Sequence, residues 1–260
     1  MSVLLVALCG VFGLIIGSFL NVVIWRVPRG ESIVRPPSHC PGCDQEIAPR
    51  DNVPVLSWLV LRGRCRHCGM RISARYPLVE LATGALFAGM AIRFGAHAVL
   101  PAYLYLAAVG IALAMIDFDV KRLPDALTLP SYVVGIALLG AAAITDDAWW
   151  SFERALIGMA ALFAFYFVIA LISPRGMGFG DVKLSGALGL YLGWLGWGPL
   201  VVGAFMAFLI GGVVSIALVL FAGAGRKTKV PFGPFMLLGT LVGIIWGHQL
   251  AHGYTSTFGG

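Results

Sequence analysis

The chain has 260 residues, 59% of them hydrophobic and only 12% charged, and a mean hydropathy of +0.91. Soluble domains carry roughly 25% charged residues, so the composition excludes a soluble globular protein and implies a polytopic membrane protein. The net charge of +6 calls for no nucleic-acid partner, because the basic residues follow a topology pattern, with attraction to anionic membrane lipid as a secondary effect.

The first apolar run, residues 3–24, is long enough to cross the hydrocarbon core, which takes about 20 helical residues. It has no basic residue before it and no small-residue cleavage site after it. Leu8 before Cys9 also spoils a lipoprotein pattern, so the run is expected to stay as an anchor. Cys9 reads as packing.

Residues 25–76 change character. Pro36-Pro37, Pro41-Gly42, Pro49 and Pro54 interrupt any helical pattern, and nine arginines fall in this stretch. Cys40-Pro-Gly-Cys43 and Cys65-Arg-His-Cys68 lie 21 residues apart. Two thiolates in a C-x2-C turn can hold one ion, and two such turns complete a closed tetrahedral Zn2+ site with no position left for substrate. The metal expected on Cys40, Cys43, Cys65 and Cys68 is therefore structural, and the competing arrangement is two disulfides. His39 and His67 stand beside the cysteines, but four sulfurs already fill the shell. A lobe this short buries too little core to fold without its metal.

Further apolar runs follow at residues 77–94, 99–116, 126–144, 155–173, 199–221 and 232–250, with a shorter Gly-rich one at 182–195. The predicted fold is thus all-α, with about eight transmembrane helices and a small tetracysteine lobe between the first two. It divides into a first helix (1–24), a zinc lobe (25–76) and a membrane domain (77–260). With eight spans, sixteen of the 18 Lys and Arg residues fall on one side: the nine in the lobe with Lys121, Arg122, Arg175, Lys183, Arg226, Lys227 and Lys229. Only Arg93 and Arg154 fall opposite. The positive-inside bias puts the lobe and these turns in the cytoplasm, where reduced, metal-bound thiols are favoured over disulfides. Trp149-Trp150, Trp194 and Trp197 read as outer-interface anchors, and His248 and His252 as solvated near the same face. No internal repeat stands out, and the sequence sets no oligomeric state.

Only twelve residues are acidic. Glu80, Asp117, Asp119, Asp125 and Asp181 lie at or near the cytoplasmic ends of helices, where a carboxylate is costly unless hydrated or paired. Asp117 directly ends the apolar run 106–116. Asp181 follows the glycine turn Gly176-Met-Gly178-Phe-Gly180, in which Gly178 and Gly180 permit close approach of an extended peptide backbone. Two carboxylates at one depth suit dyad chemistry: one ionised to take a proton from water, the other protonated to polarise a peptide carbonyl. The alternative assigns Asp181 and Asp125 to helix N-termini and pairs Asp117 and Asp119 with Lys121 or Arg122.

Taken together, these blocks resemble the bacterial type IV prepilin peptidases. Gly178-Phe-Gly180-Asp181 is similar to the G-x-G-D signature of the aspartyl membrane proteases. Asp117, followed by Leu123-Pro-Asp-Ala-Leu-Thr-Leu-Pro130, is similar to the other catalytic block. Gly17-Ser-Phe-Leu-Asn-Val-Val-Ile-Trp-Arg-Val-Pro28, the two cysteine pairs and Arg75-Tyr-Pro-Leu-Val-Glu80 match the N-terminal block and the lobe. The resemblance implies Asp117 and Asp181 as catalytic aspartates, with Asp119 and Asp125 as rivals in the first block. It implies an inner-membrane enzyme that cuts the basic leader from prepilins or type II secretion pseudopilins after a glycine. It also implies N-methylation of the new N-terminus from S-adenosylmethionine, for which Gly17, Asn21 and Glu80 are candidates. No Gly-rich Rossmann fingerprint is present. For each candidate a structural role competes: helix packing for Gly17, an interhelical hydrogen bond for Asn21, a pairing with Arg75 for Glu80. Two other classes remain open. A transporter would carry midplane charges, and a non-catalytic zinc-lobe scaffold of a pilus or secretion assembly would leave the Gly-Phe-Gly-Asp turn unexplained.

Overall fold

A computed structural model describes residues 2–173, 177–221 and 230–258. Arg175, Gly176, Arg226, Lys227 and Lys229, used above for topology and for the glycine turn, lie outside the described residues.

The described residues form α1 (Val3–Arg26), a short α2 (Leu56–Val60), α3 (Arg75–Phe94), α4 (Leu100–Val120), α5 (Asp125–Thr145), α6 (Trp149–Ile172), α7 (Phe179–Leu195), α8 (Trp197–Phe221) and α9 (Gly233–Phe258). No named strand occurs among them. All but α2 and α7 are long and apolar enough to cross a membrane. α7 has 17 residues and forms where the short Gly-rich run was expected, giving eight long helices. The chain divides into two compact units, Met1–Ala112 and Leu113–Gly260, with the boundary inside α4.

In the first unit, α1 lies against α3 at very short range. A Cβ on Gly13 would meet Gly84 Cα at 2.8 Å, and one on Gly17 would meet Glu80 Cα at 2.7 Å. Between apolar helices in lipid, such small-residue seams replace the hydrophobic drive with van der Waals contact. Asn21 Nδ2 adds a 3.2 Å hydrogen bond to the Tyr76 carbonyl. The lobe is closed from both sides. Arg26, buried at the end of α1, donates to the carbonyls of Ser32 (2.9 Å) and Pro36 (2.7 Å). Glu80, buried in α3, accepts from the Val55 N–H at 2.7 Å. Asp51 receives a forked pair of bonds from Arg66, at 2.8 and 2.6 Å, which holds its carboxyl below the usual carboxylate range.

In the second unit, α7 packs against α5, α6, α8 and α9, and every residue from Leu184 to Trp194 is buried. Its contact with α6 is another glycine seam: a Cβ on Gly193 would meet Ala155 Cα at 3.0 Å, and one on Gly158 would meet Gly193 Cα at 3.0 Å. Arg154 of α6 closes the far end of α7, donating to the carbonyls of Gly193 (2.7 Å) and Trp194 (2.6 Å). Those carbonyls belong to the last turn, which has no partner within its own helix.

Candidate active site and tetracysteine centre

Asp117 lies in the final turn of α4 rather than at its end, because the helix continues to Val120 past the apolar run. Its side chain is buried. Oδ2 accepts a 3.0 Å hydrogen bond from the backbone N–H of Gly233, the first residue of α9. Asp181 is the third residue of α7, half-buried. Its Oδ2 accepts from the N–H of Gly178 at 3.1 Å, so it does cap its own helix. The two carboxylates lie within range of each other's charge. Each is therefore held through one oxygen by a glycine N–H, and Oδ1 of each is left for other partners.

The rivals sit differently. Asp119 is exposed on α4. Asp125 opens α5, and both of its oxygens lie 2.8 Å from Lys183 Nζ. Gly178 and Gly180 both precede Asp181, Gly178 as the N-cap of α7 and Gly180 as its second residue. A Cβ on Gly180 would meet Leu123 Cβ at 3.2 Å, and one on Gly178 would meet Asp181 Oδ2 at 3.3 Å.

Sequence reasoning missed two contributors. The first is Gly233, whose only contribution is a backbone N–H. Its local signal was the helix-breaking string Pro231-Phe232-Gly233-Pro234, which was read simply as the start of a span. The second is an aromatic wall: Tyr166 and Phe208 have ring centroids 5.3 Å apart, as do Phe208 and Phe232. Phe232 directly precedes the glycine that holds Asp117.

In the first unit, the four predicted ligand sulfurs lie within 4.8 Å of one another. Cys40 and Cys68 Sγ are 3.7 Å apart, far beyond disulfide bonding distance. A tetrahedron of Zn–S bonds of about 2.3 Å has edges of roughly 3.8 Å, so the donor set fits Zn2+. The two knuckles repeat one design. Cys40 N–H donates to Gln45 O and Cys65 N–H to Met70 O, each at 2.9 Å. Asp44 N–H returns to Cys40 O at 2.8 Å and Gly69 N–H to Cys65 O at 3.0 Å. Asp44 (φ 59°) and Gly69 (φ 72°) occupy the same left-handed position, where Asp is among the few tolerated non-glycine residues. An isolated bridge closes each knuckle, His39 with Glu46 and Arg64 with Arg71. Backbone N–H groups of Cys68 and His67 lower the pKa of the Cys65 thiol.

Gly17, Asn21 and Glu80 are all engaged at the α1–α3–lobe junction. Gly17 is filled by the Glu80 backbone, Asn21 is bonded to Tyr76 O, and Glu80 to Val55 N–H rather than to Arg75 in the manner expected.

Residues 11–94 match the family model described as the bacterial peptidase A24 N-terminal domain, and residues 104–216 that of the type IV leader peptidase family. The chain is 43% identical over 226 residues to a prepilin leader peptidase/N-methyltransferase of Myxococcus xanthus, covering 84% of this chain and 65% of the relative. It is 37% identical over 274 residues to one from Aeromonas hydrophila (95% and 92% covered) and 36% over 270 residues to one from Stutzerimonas stutzeri (94% and 91%). No solved structure matches.

Proposed function

Because the chain belongs to the type IV leader peptidase family, we propose that it removes the leader from prepilins or pseudopilins and methylates the N-terminus so exposed. Asp117 and Asp181 carry the cleavage in this reading. The supporting observation is their setting: each has Oδ2 bound to a glycine N–H, and Leu123 lies against both Gly180, beside Asp181, and Gly233, the donor to Asp117.

The chemistry follows from that setting. Repulsion between adjacent carboxylates favours a state with one shared proton. The ionised member takes a proton from water as its oxygen attacks the scissile carbonyl carbon. The protonated member donates to the carbonyl oxygen, giving a tetrahedral diol. Collapse breaks the C–N bond, and a proton passes to the departing amine. The titration belongs to the pair rather than to either residue. A prepilin suits this site, since its charged leader and its apolar helix meet at the membrane boundary. The lobe and both aspartates then face the cytoplasm, in line with the bias of Lys and Arg.

Zn2+ on Cys40, Cys43, Cys65 and Cys68 would tie the lobe together and supply no catalytic chemistry, all four positions being sulfur. S-adenosylmethionine is the inferred methyl donor. Gly17, Asn21 and Glu80 remain the candidates for holding it: Gly17 is packed against the Glu80 backbone, while the bonds at Asn21 Nδ2 and Glu80 Oε2 leave Asn21 Oδ1 and Glu80 Oε1 for other partners.

The test is cleavage of a purified prepilin in detergent by wild type, Asp117→Asn and Asp181→Asn. Loss of leader removal in both variants, with fold and metal content intact, is the expected result. Cleavage by either variant would return the role to Asp119 or Asp125, or the protein to a scaffold.

A further inference from the structure

The turn between α4 and α5 lies against both glycines on which the two aspartates depend. Leu123, in its middle, is buried. It lies beside Gly180, where a Cβ would come within 3.2 Å of Leu123 Cβ, and beside Gly233, where a Cβ would come within 3.3 Å of Leu123 Cδ2. Gly180 is the residue before Asp181, and Gly233 is the donor to Asp117. One leucine therefore fills the space between the two glycine backbones on which the aspartates depend.

The same turn ends at Asp125, eight residues after Asp117. Both Asp125 oxygens lie 2.8 Å from Nζ of Lys183, two residues after Asp181. The backbone at Lys183 is fixed a second time, since the Tyr132 hydroxyl of α5 donates to its carbonyl at 2.5 Å. The 121–125 turn and the Asp125–Lys183 pair thus join the end of α4 to the first two turns of α7.

We propose that Asp125 and Lys183 are positioning residues, forming with Leu123 a tie that sets Asp181 at its working distance from Asp117. The proposal rests on the reading of those two aspartates as the cleaving pair. Lys183 is partly exposed and Asp125 more than half exposed, and an ion pair in that setting contributes little to folding. Its effect belongs to geometry, where a misplacement of about 1 Å costs on the order of 100-fold in rate. The two effects separate experimentally for that reason.

The experiment measures kcat and KM on a purified prepilin, with thermal midpoints, for Asp125→Asn, Lys183→Met and the double variant. Asp125→Glu, Asp117→Asn and Asp181→Asn run beside them. Each single variant is expected to lose about tenfold or more in kcat, with KM within about twofold and the midpoint unchanged. The double variant is expected to be no worse than either single, as for two residues acting only through each other. Asp125→Glu keeps the charge and is expected to recover most of the loss. Wild-type kcat in the singles, or losses that multiply in the double, would overturn the tie. Loss in Asp181→Asn beside normal Asp125→Asn removes the tie alone, whereas cleavage by Asp181→Asn removes the aspartate reading and the tie with it.

Discussion

Gly233 and Asp117 stand 116 residues apart in the chain and are joined by a 3.0 Å hydrogen bond from the Gly233 N–H to Asp117 Oδ2. A Cβ at position 233 would fall 2.8 Å from that same oxygen, inside van der Waals contact. Gly233→Ala is therefore expected to displace the carboxylate and reduce kcat by roughly 100-fold, the usual scale for such a shift. The fold should survive, because position 233 opens a helix and does not lie within one. Prepilin cleavage followed over time checks this, and unimpaired turnover would show that the amide is not needed.

Glu80 bridges the lobe and α3. Glu80→Ala would leave the Val55 N–H without its acceptor, at a cost of about 1–3 kcal/mol. Glu80→Gln keeps an acceptor oxygen and should lose much less. Limited proteolysis within the lobe and the thermal midpoint in detergent report both. Equal behaviour of Ala and Gln at this position would mean that the 2.7 Å bond contributes nothing.

Arg154 offers a test far from any chemistry. Arg154→Met removes two charge-assisted bonds to the terminal carbonyls of α7. The expected loss is roughly 1.5–3 kcal/mol, the range for bonds to a charged group. Unfolding in graded detergent or denaturant measures it. An unchanged midpoint would show that water satisfies those carbonyls equally well.

Metal removal separates the two activities. Stripping the ion with a strong chelator, or replacing Cys40 by Ser, should loosen the lobe and expose it to protease. Cleavage is expected to persist in part while methylation falls further. Mass spectrometry of the mature N-terminus distinguishes the products, and normal methylation by metal-free protein would sink the division of labour.

The features legible in the sequence share a local signature. Helices followed from uninterrupted apolar length, and the metal site from two C-x2-C spacings, since both patterns are written within a few turns of chain. Helix ends were less legible. Apolar runs mark the lipid-facing stretch, but backbone hydrogen bonding carries α4 on to Val120 and α9 on to Phe258, beyond the predicted limits of 116 and 250. The short α2 lay hidden among prolines. Least legible were contacts made by backbone or by shape. Gly233 acts through an amide that every non-proline residue possesses, and Leu123 acts by filling a gap between two segments distant in sequence. Glu80 was picked out by type and place, but its partner, the Val55 N–H, has no side-chain signature at all.

The burial of α7 has a consequence for the bilayer. At about 1.5 Å per residue, its 17 residues reach roughly 26 Å, short of a hydrocarbon core of about 30 Å. A lipid-facing helix of that length would have to thin the bilayer around it or draw in its flanking residues. α7 is enclosed by four other helices, so its neighbours meet the lipid and it bears no such mismatch.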